Sequence, residues 1–199
     1  MSIRLALLAL IFLNPGPLQA AADEAIAEAR AVVQDLHTAL EDMAQAAEPA
    51  IDLRYQELAP VIAASHDLPF IARFVLRRSW NSLAQDQQEA FLGLLERLTV
   101  MTYANRFTGL KPGAFQITGA SGSAERVQVD AVLETETRRV DFVYTLTFSR
   151  DRWRIINVLA DGVSDLALRR FEYSRIISEQ GFDALLEHLR EQTADQQQA

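Results

Sequence analysis

The spacing of apolar residues changes at residue 114 and changes back near residue 164. Before residue 114, apolar side chains recur every three to four positions, which is typical of amphipathic helices. From Ala114 to Ala160 they alternate every second position, which is the period of a half-buried strand. Helices followed by strands and then by helices predict an α+β fold in a single domain, and no linker or internal repeat divides it.

Four strands are predicted in the alternating part, at residues 114–119, 125–135, 138–149 and 152–160. In the third strand one face is apolar and the other is polar. The apolar face carries Val140, Phe142, Tyr144, Leu146 and Phe148, and the polar face carries Asp141, Thr145 and Thr147. Since the turns between these strands are short, we expect an antiparallel meander with one buried face.

About six helices are predicted around this sheet, at residues 23–47, 51–64, 67–76, 82–107, 164–179 and 182–192. Asp67 and Ser164 are the expected N-caps of the third and fifth helices, and an S-x-x-Q capping box at residues 82–85 is expected to open the fourth. Pro49 is expected to interrupt the chain between the first two helices. Asp161-Gly162 is a turn pair just before Ser164, and residues 193–199 form a polar tail.

The first 22 residues have the pattern of a secretory signal peptide. Arg4 precedes an apolar run that is too short to span a bilayer, and a Pro-Gly-Pro break and small residues follow that run. Cleavage after Ala22, or alternatively after Ala20, would release an exported domain at residues 23–192. The chain has no cysteine, so neither a disulfide nor a lipid-modified cysteine is available, and its apolar core must hold the fold.

The formal net charge is −8 at pH 7. A chain this acidic is a poor partner for nucleic acid, and its net charge does not draw it to anionic membranes. The three histidines lie in separate contexts without metal-ligand spacing, and neither a G-x-S-x-G elbow nor a glycine-rich phosphate loop is present. We therefore expect no metal, no cofactor and no catalytic residue, and we interpret His66 beside Asp67 as a residue at the start of a helix.

One enzymatic alternative remains open. Helices around a curved sheet can form a cone that hosts an isomerase or a dehydratase, and Asp141 and Tyr144 would be its candidate residues. They fall on opposite faces of the third strand, which weakens the pairing. The apolar faces could enclose an apolar ligand or could simply form a close-packed core of an interaction module, and periodicity does not separate these two readings.

Three blocks of the sequence resemble the MlaC family of periplasmic lipid-binding proteins, also called toluene-tolerance auxiliary proteins. The first is WRIINVLADGVSDLALRRFEY at residues 153–173, and the second is FIARFVL at residues 70–76, followed by Trp80, Gln87, Phe91, Leu98 and Tyr103. The third is GFDALL at residues 181–186. The resemblance extends from Pro60 to Leu189.

The sequence departs from the family pattern at one position, because Arg77 follows Leu76 where the family usually has glycine. The run at residues 164–170 is similar to the branch associated with hopanoid biosynthesis. This similarity implies a hopanoid-type polycyclic lipid as an alternative cargo to a phospholipid.

The resemblance implies a periplasmic carrier that encloses a phospholipid in an apolar cavity and has no enzymatic activity. Its implied partners are an outer-membrane lipoprotein complex and an inner-membrane ABC-transporter complex. The strand-turn-helix joint at residues 161–164 would place a helix at the rim of the cavity. We expect the lipid contacts at Phe70, Phe74, Tyr103, Phe107, Val129, Phe142, Tyr144, Leu146, Ile155, Val163 and Leu166.

Overall fold

The computed structural model describes residues 17–46 and 50–198. Within them lie seven helices: α1 (Pro17–Gln45), α2 (Ile51–Ser65), α3 (Leu68–Leu76), α4 (Arg78–Ser82), α5 (Gln85–Arg106), α6 (Asp165–Gln180) and α7 (Phe182–Gln198). Most of the predicted signal peptide and the expected interruption at Pro49 lie outside the described residues. The α+β class is confirmed, and the short α4 is the helix that the sequence did not predict.

The sheet is an antiparallel meander of five strands in chain order: β1 (Phe115–Gly122), β2 (Arg126–Glu134), β3 (Arg139–Ser149), β4 (Arg152–Ala160) and β5 (Val163–Ser164). The prediction of four strands missed β5, because Val163 was assigned to the joint before the helix and Ser164 to the N-cap of that helix. The predicted turn is present, with φ of 50° at Asp161 and 78° at Gly162. Two successive positive φ values suit a tight hairpin turn, and this turn folds β5 back onto β4.

The pairing of β3 with β4 contains a β-bulge. The register of this pair shifts between Thr145 and Leu146, so that Ile155 and Ile156 of β4 are both buried although they are adjacent in sequence. A bulge of this kind increases the local twist of a sheet. Four helices contact β4: α1, α2, α3 and α6.

The buried side chains form two clusters. One joins α1, α2 and the C-terminal end of α5 to the sheet, and the other joins α3, α4, α6 and α7 to the N-terminal half of α5. Helix α5 therefore contributes to both clusters. The space between the two clusters, beside β4 and the start of α6, is where the candidate site lies.

The two predicted N-caps are confirmed, and the predicted capping box is not. The Asp67 carboxylate accepts from the Phe70 N–H at 3.1 Å, and the Ser164 hydroxyl accepts from the Ala167 N–H at 3.1 Å. Ser82 instead donates to a carbonyl of α4, and α5 begins three residues later, at Gln85. Only half of a box forms, since the Gln87 side chain accepts from the Ala84 N–H at 3.1 Å.

The C-terminal helix is longer than the sequence predicts. Helix α7 continues to Gln198, through most of the predicted polar tail, with Thr193 buried.

At Arg77, between α3 and α4, the backbone has φ of 50° and ψ of −119°. Residues with a side chain rarely adopt positive φ. This conformation gives a backbone reason for the glycine that the family pattern has here.

Candidate functional site

A cavity of about 190 Å³ lies where α5, β3, β4 and α6 meet. Exposed Val163 and Leu168 stand at its edge, so it opens to solvent beside the start of α6. Ser164 holds that helix in place, because its hydroxyl donates to the Asn157 side chain of β4 at 2.8 Å while it caps α6. The strand-turn-helix joint at residues 161–164 therefore lies at the rim of this cavity, as expected.

Six of the expected lipid contacts line this cavity: Tyr103, Phe107, Phe142, Ile155, Val163 and Leu166. They come from α5, β3, β4, β5 and α6, so only the tertiary fold brings them together. Phe107 and Phe142 are buried and lie with their ring centroids 6.4 Å apart. The wall that they form is apolar.

The other expected contacts lie elsewhere. Phe70 and Phe74 of α3 are more than one-third exposed, and their rings stack 6.2 Å apart. Phe74 lines a separate groove of about 750 Å³ between α3 and α6, where the Arg170 guanidinium lies 5.4 Å from its ring. The remaining three are buried in the cluster beneath the sheet and do not line the cavity: Val129, Tyr144 and Leu146.

Tyr144 is paired with a residue that sequence reasoning missed. Its hydroxyl shares a hydrogen bond of 3.0 Å with Nε2 of His37 on α1, and the His37 ring stacks on Phe115 at 4.1 Å. Burial lowers the pKa of His37 to about 4 and raises the pKa of Tyr144 well above its usual value. The pair is therefore neutral at pH 7. The sequence contained one indication that His37 is buried. His37 follows Val33 by four residues, so it lies on the apolar face of α1.

We expect Tyr144→Phe to destabilise the fold by about 1–3 kcal/mol, because the buried His37 Nε2 would lose its partner. Urea denaturation measures this change. Half-buried Tyr55 gives a matched control, and Tyr55→Phe should alter the free energy of unfolding by no more than about 0.5 kcal/mol. Equal effects of the two substitutions would contradict the role assigned to the His37–Tyr144 pair.

The candidate pair for an isomerase or dehydratase does not come together. Asp141 is exposed and lies 3.4 Å from the Arg139 guanidinium, whereas Tyr144 is buried on the opposite face of β3. Asp141 also contacts the turn before β5, because its backbone N–H donates to the Asp161 carboxylate at 2.9 Å. These contacts give Asp141 a structural role near the start of β3, beside the turn at Asp161 and Gly162.

The polar end of the cavity contains His66 and Tyr103, which share a hydrogen bond of 3.2 Å. The other ring nitrogen of His66 lies 2.9 Å from the Ser65 hydroxyl. Burial, together with the positive charge of Arg169, lowers the pKa of His66 to about 4, and burial raises the pKa of Tyr103. His66 was expected only at the start of a helix, and it is in fact a buried neutral group in the cavity wall.

Arg169 of α6 is a mostly buried charged residue. Its side chain is only 13% exposed, because that side of α6 faces α5 and α7. Its Nε donates to the Asp165 carboxylate at 2.7 Å, and its Nη1 is buried without a hydrogen-bond partner. The i, i+4 spacing of Asp165 and Arg169 signalled the ion pair but not its burial.

Across residues 17–46 and 50–198, no three His, Asp or Glu side chains are grouped so that they could hold a metal ion. None of the helices in the described part of the chain has the length and apolar content needed to cross a membrane.

Comparison with solved structures gives a phospholipid-binding protein from Ralstonia solanacearum, determined in complex with a phospholipid. The TM-score is 0.74 at 17% sequence identity, over 86% of this chain and 98% of that one. At this identity the likeness establishes a shared fold. No curated protein matches the chain.

The family comparison covers most of the sequence. The profile described as "MlaC protein" matches residues 30–191, which include the cavity, nearly all of both buried clusters and the joint between β4 and α6. The match and the resemblance seen in the sequence rest on the same part of the chain. The chain belongs to the MlaC family.

Proposed function

We propose that this protein is a periplasmic carrier that encloses the apolar chains of a membrane lipid. The observation that carries the proposal is the apolar cavity between α5, α6 and the sheet. Membership of the MlaC family supports it, as does the shared fold with a protein that was determined with a phospholipid bound.

The physical need for such a carrier is large. Each methylene group transferred from an apolar site to water costs about 0.8 kcal/mol, so two sixteen-carbon chains would resist crossing water by roughly 25 kcal/mol. A protein that shields the chains lowers this barrier without forming or breaking any bond. The separation of Asp141 from Tyr144 favours carriage over the enzymatic alternative.

The cavity must enlarge to hold a lipid. Its volume of about 190 Å³ is below the roughly 300–1,000 Å³ usual for ligand pockets. Asn157 and Leu166 line both this cavity and the groove of about 750 Å³ beside Phe74. Displacement of the Leu166 side chain would join the two spaces. On this proposal Phe74 contacts the lipid only in the enlarged state.

Family membership supports our proposal for the wider transport role. We place the carrier between an outer-membrane lipoprotein complex and an inner-membrane ABC-transporter complex, with residues 1–22 removed on export. The cargo is a phospholipid or, in the hopanoid-associated alternative, a polycyclic lipid. Both cargoes have an apolar body that the cavity would shield from water.

The direct test is to purify the protein from its native host, extract it with organic solvent and identify the lipids by mass spectrometry. We expect about one lipid for each chain, since one enlarged cavity holds one cargo molecule. A delipidated sample should also take up labelled lipid from vesicles. Protein that carries no lipid and takes up none would contradict the proposal.

A further inference from the structure

A second cavity adjoins the apolar one. It has a volume of about 330 Å³, and the two cavities share a wall formed by Thr102, Arg106, Asp165, Leu168 and Arg169. Beyond this wall the second cavity is lined by Leu98 and by five residues with polar groups: Glu172, Tyr173, Gln192, Asp195 and Gln196. An apolar space and a polar space therefore lie on either side of one wall, an arrangement that suits a ligand with an apolar and a polar end.

The shared wall contains two guanidinium groups, those of Arg106 and Arg169. Arg106 is exposed, whereas Arg169 is mostly buried and has an unpartnered Nη1. A buried donor without an acceptor is rare in native structures and costs free energy. An anion bound at the wall would supply the missing acceptor.

The charges around the wall are compatible with an anion. Burial lowers the pKa of Arg169, but the Asp165 carboxylate and the Tyr173 hydroxyl more than offset this effect, so the pKa is raised and the group stays charged. Asp165 balances one of the two arginines through its 2.7 Å ion pair. Two further carboxylates, Glu172 and Asp195, line the polar cavity but not the shared wall, and Glu172 lies 3.0 Å from His188. Within residues 17–46 and 50–198, Arg106 forms no ion pair, so its guanidinium can bind the anionic part of a ligand whose far end is positive.

Building on the proposed function, we infer that Arg169 and Arg106 bind the phosphate of a phospholipid headgroup. The acyl chains occupy the apolar cavity, and the rest of the headgroup occupies the polar cavity. The planar guanidinium fork matches phosphate oxygens and forms short, strong hydrogen bonds with them. A neutral polycyclic lipid lacks this anion, so the inference favours a phospholipid cargo.

The polar cavity also indicates which headgroup fits. Its acidic residues, Glu172 and Asp195, lie beyond the arginines as seen from the apolar cavity. They would attract a positive group at the end of the headgroup and repel a further negative one. Phosphatidylethanolamine, with its phosphate followed by an ammonium, matches this order of charges.

The test is competition between lipids that differ only in the headgroup. Delipidated full-length protein is incubated with vesicles containing equal amounts of phosphatidylethanolamine and diacylglycerol with the same acyl chains. The bound lipids are then quantified by mass spectrometry. We expect about tenfold or greater preference for the phospholipid, and loss of most of this preference in Arg169→Met.

Two more variants distinguish loss of headgroup binding from misfolding. Arg106 is exposed, so Arg106→Met should fold normally and still reduce the preference. Arg190→Met, which removes an exposed arginine on α7 that pairs with Glu187, should leave the preference unchanged. If the wild type binds both lipids equally, or if Arg169→Met and Arg106→Met keep the full preference, the inference fails while lipid carriage stands. If the wild type binds neither lipid, the proposed function itself fails.

Other sources of the anion are separated by added competitors. Inorganic phosphate should not displace bound phosphatidylethanolamine, because it has no chain to fill the apolar cavity. Displacement by phosphate would indicate a site for free phosphate and would overturn the inference. Preferential binding of oleate over phosphatidylethanolamine would indicate a carboxylate site and would overturn it as well.

Discussion

Acidification from pH 7 to pH 4 should lower the free energy of unfolding by several kcal/mol. His37 and His66 are both buried and have a pKa of about 4 in the folded protein, against 6.5 as the ordinary value. Between these two pH values the unfolded chain binds more protons than the folded one, so stability rises with pH. The contribution is present above pH 6.5 and is lost as the pH falls towards 4. Each histidine accounts for on the order of 3 kcal/mol.

Urea denaturation at several pH values between 7.5 and 4 measures this dependence. Carboxylates also titrate near the lower limit, so the histidine contribution is isolated with His37→Gln and His66→Gln. In each variant the free energy of unfolding should change less steeply with pH than in the wild type. The difference in slope should correspond to about one fewer proton taken up on unfolding. Parallel curves for the wild type and both variants would contradict the assignment of buried neutral histidines.

Filling the cavity should abolish most lipid retention. Ala160 lies at the end of β4, pairs in register with Phe142 and lines the apolar cavity. Ala160→Trp would place an indole where the first part of an acyl chain is proposed to lie. Since each methylene left in water loses about 0.8 kcal/mol, exclusion of only two methylenes lowers affinity about tenfold. Lipid extraction and mass spectrometry of the purified variant measure the loss.

The control places the same residue on the same sheet at an exposed position. Phe148 on β3 is 52% exposed and packs edge to face against Trp153, outside the cavity lining. Phe148→Trp should retain lipid as the wild type does. Overpacking at Ala160 costs about 1–3 kcal/mol, so circular dichroism must show that the variant is folded. A folded Ala160→Trp variant with full lipid content would exclude this cavity as the lipid site.

Much of the secondary structure could be predicted because its causes are local. The alternation in β3, the turn at Asp161 and the caps at Asp67 and Ser164 each depend on residues within a few positions of one another. The capping box predicted at Ser82 is absent for a reason that is also local. A serine hydroxyl can bond to the backbone on either side of it. The Ser82 hydroxyl donates to a carbonyl of α4, and α5 begins only at Gln85.

The candidate site was predicted only in part. Phe142, Ile155 and Leu166 were identified because apolar residues on a buried face are the natural wall of a cavity. The same argument also selected Val129 and Leu146, which pack into the solid core. The alternation of apolar and polar residues predicts which face of a strand is buried. It does not predict which buried residues line a cavity and which pack into the core.

The sequence by itself determined the order of helices and strands, the meander, the caps and the family, since all of these depend on residue spacing along the chain. Only the tertiary structure decided which polar groups are buried. His37 meets Tyr144 across 107 positions, and Arg169 is covered because α5 and α7 pack against one side of α6. Burial of a side chain is set by distant segments, and no local pattern in the sequence encodes which segments those are.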